Sequence, residues 1–465
     1  MTGVAGNETT TGVPAAGGLA GGGLAGSGLA GSGLAGTGAA GRRAAGGQAA
    51  AGAGSKELVP SPELAERWRA ARAGLTGVHL DAAAAGATSR AVIDAQVEQL
   101  TAEATLGSYV AQERAAEQLD AARSALAGLL DPALTGADVA FHHSATSAFA
   151  TMVGAWPLPP GGRIGIVPSD FSSNLLLLRA RARRDGLELI DLPLLADGRV
   201  DVERLGRGAG QAGLDRLDLV TFPEVPSQRG IVQPTAAVAA LCREAGVPLL
   251  LDVAQSLGQV DVSAAGATGG VTAYVGTSRK WLCGPRGVGF LAARPDFVDR
   301  LGVPAPTGYT ARWEPDPPAP GGGRLVAAAG VGRFDVGEAP VAARVGLAVA
   351  LAEHLEAGPA LVRARVQALA AAARRRLVAV AGWRLGEDVA SASGIVTLLP
   401  PRGVDPARVR DRLQRHENIL ASAIDTTRAR DAVPALRVSP HVYSTLADLD
   451  QLADALERVT GQGTP

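Results

Sequence analysis

From Pro60 onward the chain alternates between short apolar runs and longer stretches whose apolar side chains return every helical turn. The first pattern suits strands buried on both faces, and the second puts one face of a helix in the core. The helical spacing predicts helices over residues 62–73 and 89–130, the latter broken near Gly107, since glycine weakens a helix interior. Strands are expected at 138–141, 163–167, 187–192, 217–222, 247–252, 271–276 and 287–292, with helices at 145–155, 172–184 and 235–245 among them. Strands interleaved with helices imply an α/β fold, a mostly parallel seven-stranded sheet covered on both faces. Ligands of such sheets bind beyond the carboxyl ends of the strands.

A Pro/Gly-rich stretch at 304–323 predicts a loop. Helices then follow at 341–356 and 360–380, strands at 394–399 and 435–438 around a helix at 405–416, and a last helix at 446–459. This reads as a small α+β domain over 336–465, after a large domain over 58–335. Residues 1–57 are Gly/Ala-rich, with a five-residue GLAGS-like repeat between Gly17 and Gly41. So little side chain cannot offset the entropy of ordering, and a flexible tail is expected. The tail lacks a basic start followed by a continuous apolar run, so neither a secretory signal nor a membrane span is expected.

Charge is nearly balanced, 44 basic residues against 45 acidic, for a net charge of -1. Such a balance gives no support for a nucleic-acid partner or a polybasic membrane anchor. The basic set is lopsided: Lys56 and Lys280 are the two lysines, which leaves 42 arginines. Arginine cannot stand in where an amine must lose its proton and attack a carbonyl, so Lys280 draws attention. Cys242 and Cys283 are the two cysteines, without CxxC spacing, and no histidines sit at HExxH spacing. A reducing, cytoplasmic setting and no metal site are expected.

Asp252 ends the apolar run that starts at Pro248, and Gln255 lies about one turn further on. An acid there either holds a cofactor's protonated ring nitrogen or caps the next helix. Downstream, Tyr274-Val-Gly-Thr-Ser-Arg-Lys-Trp-Leu-Cys-Gly-Pro-Arg-Gly-Val-Gly-Phe290 runs from a strand through small hydroxyl residues to Lys280 and a glycine-rich turn. Thr277 and nearby N–H groups are candidates to grip a phosphate. Arg279 beside Lys280 is expected to lower the amine's pKa, because like charges disfavour protonation.

Asp252-Val-Ala-Gln255 followed by Ser278-Arg-Lys-Trp-Leu-Cys-Gly-Pro-Arg-Gly287 resembles the lysine region of the class V aminotransferase superfamily. That resemblance implies fold-type I architecture, pyridoxal phosphate (PLP) held by Lys280 as a Schiff base, and a homodimer. It further implies Asp252 at the ring nitrogen and Gln255 at the ring's phenolic oxygen. His143-Ser-Ala-Thr146 falls where the family has a phosphate loop, which makes Ala145 and Thr146 phosphate ligands at a helix N-terminus. Ser144 replaces the family's usual glycine, and His142 and His143 in front are expected to be structural. Phe171 matches the residue that stacks on the cofactor ring, and Ser227 falls where many relatives place an asparagine near the cofactor oxygen. Arg437, in Leu436-Arg-Val-Ser-Pro-His441, matches the arginine that grips the substrate carboxylate.

Desulfurases in this superfamily need a mobile cysteine far downstream of the lysine, and none follows Cys283. Instead, Gly77-Val-His-Leu-Asp81, Gly107-Ser-Tyr-Val-Ala111, Ser227-Gln-Arg-Gly-Ile-Val-Gln-Pro234 and Ala343-Arg-Val-Gly346 resemble the hercynylcysteine S-oxide lyase branch of ergothioneine biosynthesis. The resemblance implies β-elimination from an amino-acid sulfoxide, giving pyruvate, ammonia and a sulfenic acid. Tyr109 or Trp281 is then expected to face the substrate's trimethylammonium group by cation–π attraction. The rivals are another C–S lyase or an epimerase on the same scaffold, or a catalytically idle binding protein.

Overall fold

The computed structural model describes residues 59–208, 213–315 and 322–461. The tail expected over 1–57 lies outside them. The large sheet has seven strands: β1 (Val139–His142), β2 (Arg163–Ile166), β3 (Glu188–Asp191), β4 (Leu219–Pro223), β5 (Leu249–Asp252), β6 (Ala273–Thr277) and β7 (Gly289–Ala293), in the spatial order β1-β7-β6-β5-β4-β2-β3. Neighbours from β6 to β3 pair parallel, while β7 runs antiparallel to both β6 and β1. The expected mostly parallel seven-stranded sheet is what forms.

Strand β5 explains why its run is continuously apolar. Leu249 and Leu251 enter one core with Phe222, Tyr274 and Phe290, while Leu250 enters the opposite core with Ile164, Val275 and Leu291. Successive side chains alternate between faces, and helices cover both. On one side lie α1 (Ala145–Ala155), through Phe149 and Met152, and α2 (Ser172–Asp185), through Leu175 and Leu178; on the other lies α3 (Thr235–Ala245), through Val238 and Cys242.

A second sheet of β8 (Arg384–Leu385), β9 (Val396–Leu399), β10 (Ser422–Ile424) and β11 (Ala435–Val438), in the order β8-β9-β11-β10, is antiparallel throughout. Its core joins Leu377, Trp383, Leu413, Leu436 and Leu452, all fully buried. The strand Val78–His79 pairs parallel with Ile419–Leu420, and Leu80 enters that same core although it lies far away in sequence.

The loop expected at 304–323 instead contains a strand, Ala311–Pro315, that pairs antiparallel with Gly323–Ala327. Its large apolar side chains Trp313 and Leu325 are exposed, so no buried face imposes an alternating pattern for the sequence to display. No single helix among the described residues is long and apolar enough to cross a membrane. The bent pair Val341–Ala357 and Pro359–Leu377, meeting at 84°, passes that test by length and composition. Its apolar side chains Leu347, Leu351, Val366 and Leu369 are buried inside the fold.

Candidate active site

The carboxyl ends of β4, β5 and β6 open onto a cavity of about 170 Å³, the place where such sheets bind their ligands. Pro223, Asp252 and Thr277, the last residues of those strands, all line it. Lys280 follows β6 by three residues, and its turn is held by Ser278 Oγ, which donates to Val288 O at 3.0 Å. That turn leaves no room beside it: a Cβ on Gly86 would lie 2.3 Å from Lys280 O and 2.7 Å from Cys283 Sγ.

Burial pushes the Lys280 amine down to about 7; Asp252 opposes this, and Arg279, Arg437 and Arg428 add to it. The expected influence of Arg279 is present, but desolvation is the larger cause. Among the described residues the amine has no hydrogen-bond partner. Asp252 Oδ2 accepts from Asn174 Nδ2 at 2.8 Å, and Oδ1 accepts from the Ala254 N–H at 2.8 Å. Asp252 therefore makes the local N–H contact of a cap and lines the cavity as well.

Asn174 also donates to Asp170 Oδ1 at 3.1 Å, which also accepts from the Phe171 N–H at 2.7 Å. Asp170 is fully buried, and desolvation followed by the charge of Asp252 raises its carboxyl well above the usual range. Sequence reasoning passed over this acid–amide–acid chain, because Asp170 precedes α2 and only the fold brings Asp252 to Asn174. Phe171 immediately precedes α2 and lines the cavity.

Ser144, Ala145 and Thr146 bring the N-terminus of α1 to the cavity wall. Ser144 replaces a glycine without strain because its backbone is extended (φ -166°) and its Oγ accepts from the Ser147 N–H at 3.1 Å. Ser147 Oγ returns a contact by accepting from the Ser144 N–H at 3.1 Å. Strand β7 packs tightly behind this loop: a Cβ on Gly289 would lie 2.2 Å from the Ser144 carbonyl carbon. His142 is buried, its imidazole pushed down to about 4 mainly by desolvation, while His143 is exposed, and neither lines the cavity.

Arg437 lies on β11 with its guanidinium buried. It donates to Ser227 O at 2.7 Å, Ser422 Oγ at 3.0 Å and Asp81 Oδ1 at 3.2 Å. Its Nε and Ser227 Oγ are buried polar atoms without a partner among the described residues. Gln255 lines the cavity, but its side chain is engaged: Nε2 donates to Ala83 O at 2.9 Å, and Oε1 accepts from Trp281 Nε1 at 3.0 Å.

Ala145, Thr146, Phe171, Ser227, Asp252, Gln255, Thr277, Lys280 and Arg437 thus come together around one cavity. Tyr109 does not join them. It is 71% exposed and lines a separate groove with Tyr309 and Arg344, because the short helix Ser108–Arg114 carries it away from the sheet's carboxyl edge. Trp281 is fully buried, stacked 5.8 Å from the His441 ring and absent from the cavity wall, so it is a core residue and not a substrate-facing ring.

Residues 78–452 match the family model described as "Aminotransferase class-V". The chain is 42% identical over 401 residues, 85% of its own length and 94% of the relative's, to a Mycobacterium tuberculosis protein described as "Probable hercynylcysteine sulfoxide lyase". An isopenicillin N epimerase of Streptomyces clavuligerus is 28% identical, over 68% of this chain and 79% of its own. Among solved structures, a cysteine desulfurase of Escherichia coli superposes with a TM-score of 0.73 at 20% identity, covering 85% of this chain and 98% of that one. A cystine C–S lyase bound to cysteine persulfide gives 0.72 at 19% identity, over 84% of this chain and all of that one. The chain belongs to the class-V aminotransferase family of pyridoxal-phosphate enzymes, and its fold is that of fold type I.

Proposed function

We propose that this enzyme is a carbon–sulfur lyase that cleaves hercynylcysteine S-oxide by β-elimination, releasing pyruvate, ammonia and the sulfenic acid from which ergothioneine is made. The observation that carries this reading is a cavity furnished for PLP chemistry but without a thiol. No cysteine lines it, and Cys242 and Cys283 are both buried, with burial raising their thiols to about 12 and about 11. The likeness to the mycobacterial protein supports the choice of substrate.

The residues fit the cofactor. The N-terminus of α1, with Ala145 and Thr146, joins Thr277 to receive the phosphate. Asp252 would meet the ring nitrogen, Phe171 would stack on the ring, and Ser227 and Gln255 would meet the ring oxygen. The Ser227 hydroxyl, without a partner among the described residues, and the Lys280 amine on the same wall are what such a group would engage. Bound there, PLP supplies an electron sink for the pair released at a substrate's α-carbon.

Lys280 would then serve as the base at that carbon, because burial makes its amine hold a proton less tightly than a free lysine. Arg437 grips the α-carboxylate with its planar fork. Sulfur departs as a sulfenate, a better leaving group than a thiolate, so no protein thiol has to attack it. The enzyme is expected to act as a homodimer in the cytoplasm. Tyr109, remote from its own cavity, serves the substrate only across such a dimer.

The test is pyruvate release from hercynylcysteine S-oxide by wild type and Lys280→Ala, with visible cofactor absorbance recorded for both. Pyruvate from wild type alone supports the reading. Cofactor absorbance without pyruvate refutes the substrate, and pyruvate formation undiminished in the variant refutes the role of Lys280.

A further inference from the structure

The cavity carries more positive charge than one amino acid and its cofactor site explain. Four cations, Arg279, Lys280, Arg428 and Arg437, line it, and Asp252 is the one acid on its wall. Asp81, just outside, is spent on Arg437 at 3.2 Å. The Arg428 guanidinium has no hydrogen bond or ion pair within 4 Å among the described residues, and it lies within electrostatic range of Lys280, Arg437 and Asp425. Three guanidiniums that repel one another around one opening are unfavourable unless an anion joins them.

The loop carrying Arg428, between β10 and β11, is built to stay there. The Ser172 N–H donates to Arg428 O at 3.0 Å, and the Arg430 N–H donates to Pro168 O at 3.1 Å. Gln228 Nε2 donates to Asp431 Oδ1 at 3.1 Å, and Arg430 pairs with Asp191. Behind Arg428, Ala429 packs with Ile424, Ala432 and Ala435 in a small core. The loop is thus tied to the segment that presents Phe171, and Arg428 is held over the cavity with its guanidinium donors unpaired among the described residues, Asp425 acting on it at longer range.

Resting on the lyase reading above, we propose that Arg428 is a specificity-determining residue that binds a second carboxylate, carried by the sulfur-bearing half of the substrate. The site then selects cysteine S-oxides that are dicarboxylates. Arg437 takes the α-carboxylate, and Arg428 takes the carboxylate that leaves with the sulfenate. A guanidinium–carboxylate contact in a sheltered site is worth roughly one to two orders of magnitude in affinity.

The probes are S-carboxymethylcysteine S-oxide and S-methylcysteine S-oxide, which differ by that carboxylate. The holoenzyme, Arg428→Gln and Arg428→Lys are compared in KM and in calorimetric binding, with cofactor affinity titrated for each. Wild type is expected to prefer the carboxymethyl compound by roughly tenfold or more. Arg428→Gln should abolish the preference through the carboxymethyl compound alone, and Arg428→Lys should restore part of it. Equal weakening of both probes, or loss of cofactor affinity in Arg428→Gln, would overturn the proposal, as would a wild type without preference. Binding is read without turnover, so a preference that depends on Arg428 but yields no pyruvate supports the subsite while refuting the lyase reading.

Discussion

Lys280 offers a thermodynamic test that needs no substrate. In the cofactor-free protein its amine is held at about 7, against an ordinary 10.5. Between these values the unfolded chain binds more protons than the folded one, so this group makes stability rise with pH across that window. Its cost is complete below pH 7 and gone above pH 10.5. At roughly 1.36 kcal/mol per pKa unit the full cost is about 5 kcal/mol. The side chain lies on the cavity wall, partly open to solvent, so water recovers some of this, and roughly 2–5 kcal/mol is expected. Lys280→Met keeps the length and packing of the chain and removes the charge. Urea unfolding of both cofactor-free proteins should show the variant more stable near pH 7, with the gap closing toward pH 10.5. A gap that does not change with pH, or a wild type more stable near pH 7, would refute the reasoning.

The acids behind the cavity give two further predictions. Asn174→Ala removes the amide donor between Asp170 and Asp252 and should weaken cofactor affinity by roughly tenfold, read by absorbance titration; unchanged affinity would refute Asn174 as the group that sets Asp252. Asp170 has a folded pKa raised above its unfolded value, so it costs stability increasingly as pH rises past about 3.8. Asp170→Asn should therefore leave activity intact and raise the melting temperature near neutral pH more than near pH 4, and an equal shift at both would contradict the assignment. Elsewhere, Arg374 pairs with Glu387 at 3.4 Å, both fully buried, and also donates to Ser393 O and Ile395 O at 2.7 Å each. Arg374→Met should destabilise by about 3–5 kcal/mol in urea unfolding, because it strands the Glu387 charge, and a loss under 1 kcal/mol would show that charge to be compensated.

What the sequence made legible follows from what local pattern can encode. The strand at Leu249–Asp252 and the helices at Ala145–Ala155 and Thr235–Ala245 were readable because each buries a continuous run or one face. The strand pair Ala311–Pro315 and Gly323–Ala327 and the strand Val78–His79 were not, since the first buries no large apolar face and the second is fixed by a partner more than three hundred residues away. The site divides the same way. Asp252, Lys280 and Arg437 sit in motifs whose spacing carries meaning, and all three reach the cavity. Asp81 and Arg428 acquire their roles through tertiary contacts alone, and among 42 arginines nothing local marks the one whose loop is tied over the opening. Tyr109 lies in a separate groove, a placement set by the short helix that carries it and not by any local pattern.

On the proposed reading, the missing thiol and the cationic rim answer one chemical problem. A thioether must have its sulfur taken by a nucleophile or expelled as a thiolate, whereas a sulfoxide leaves as a sulfenate without help. An enzyme for the sulfoxide therefore needs no sulfur acceptor, which leaves the loop between β10 and β11 free for another task. Here that loop presents a guanidinium, a group that cannot attack sulfur but can hold the departing half by its charge. On that reading the departing half is held by charge alone, while Lys280 and Asp252 carry the chemistry at the α-carbon.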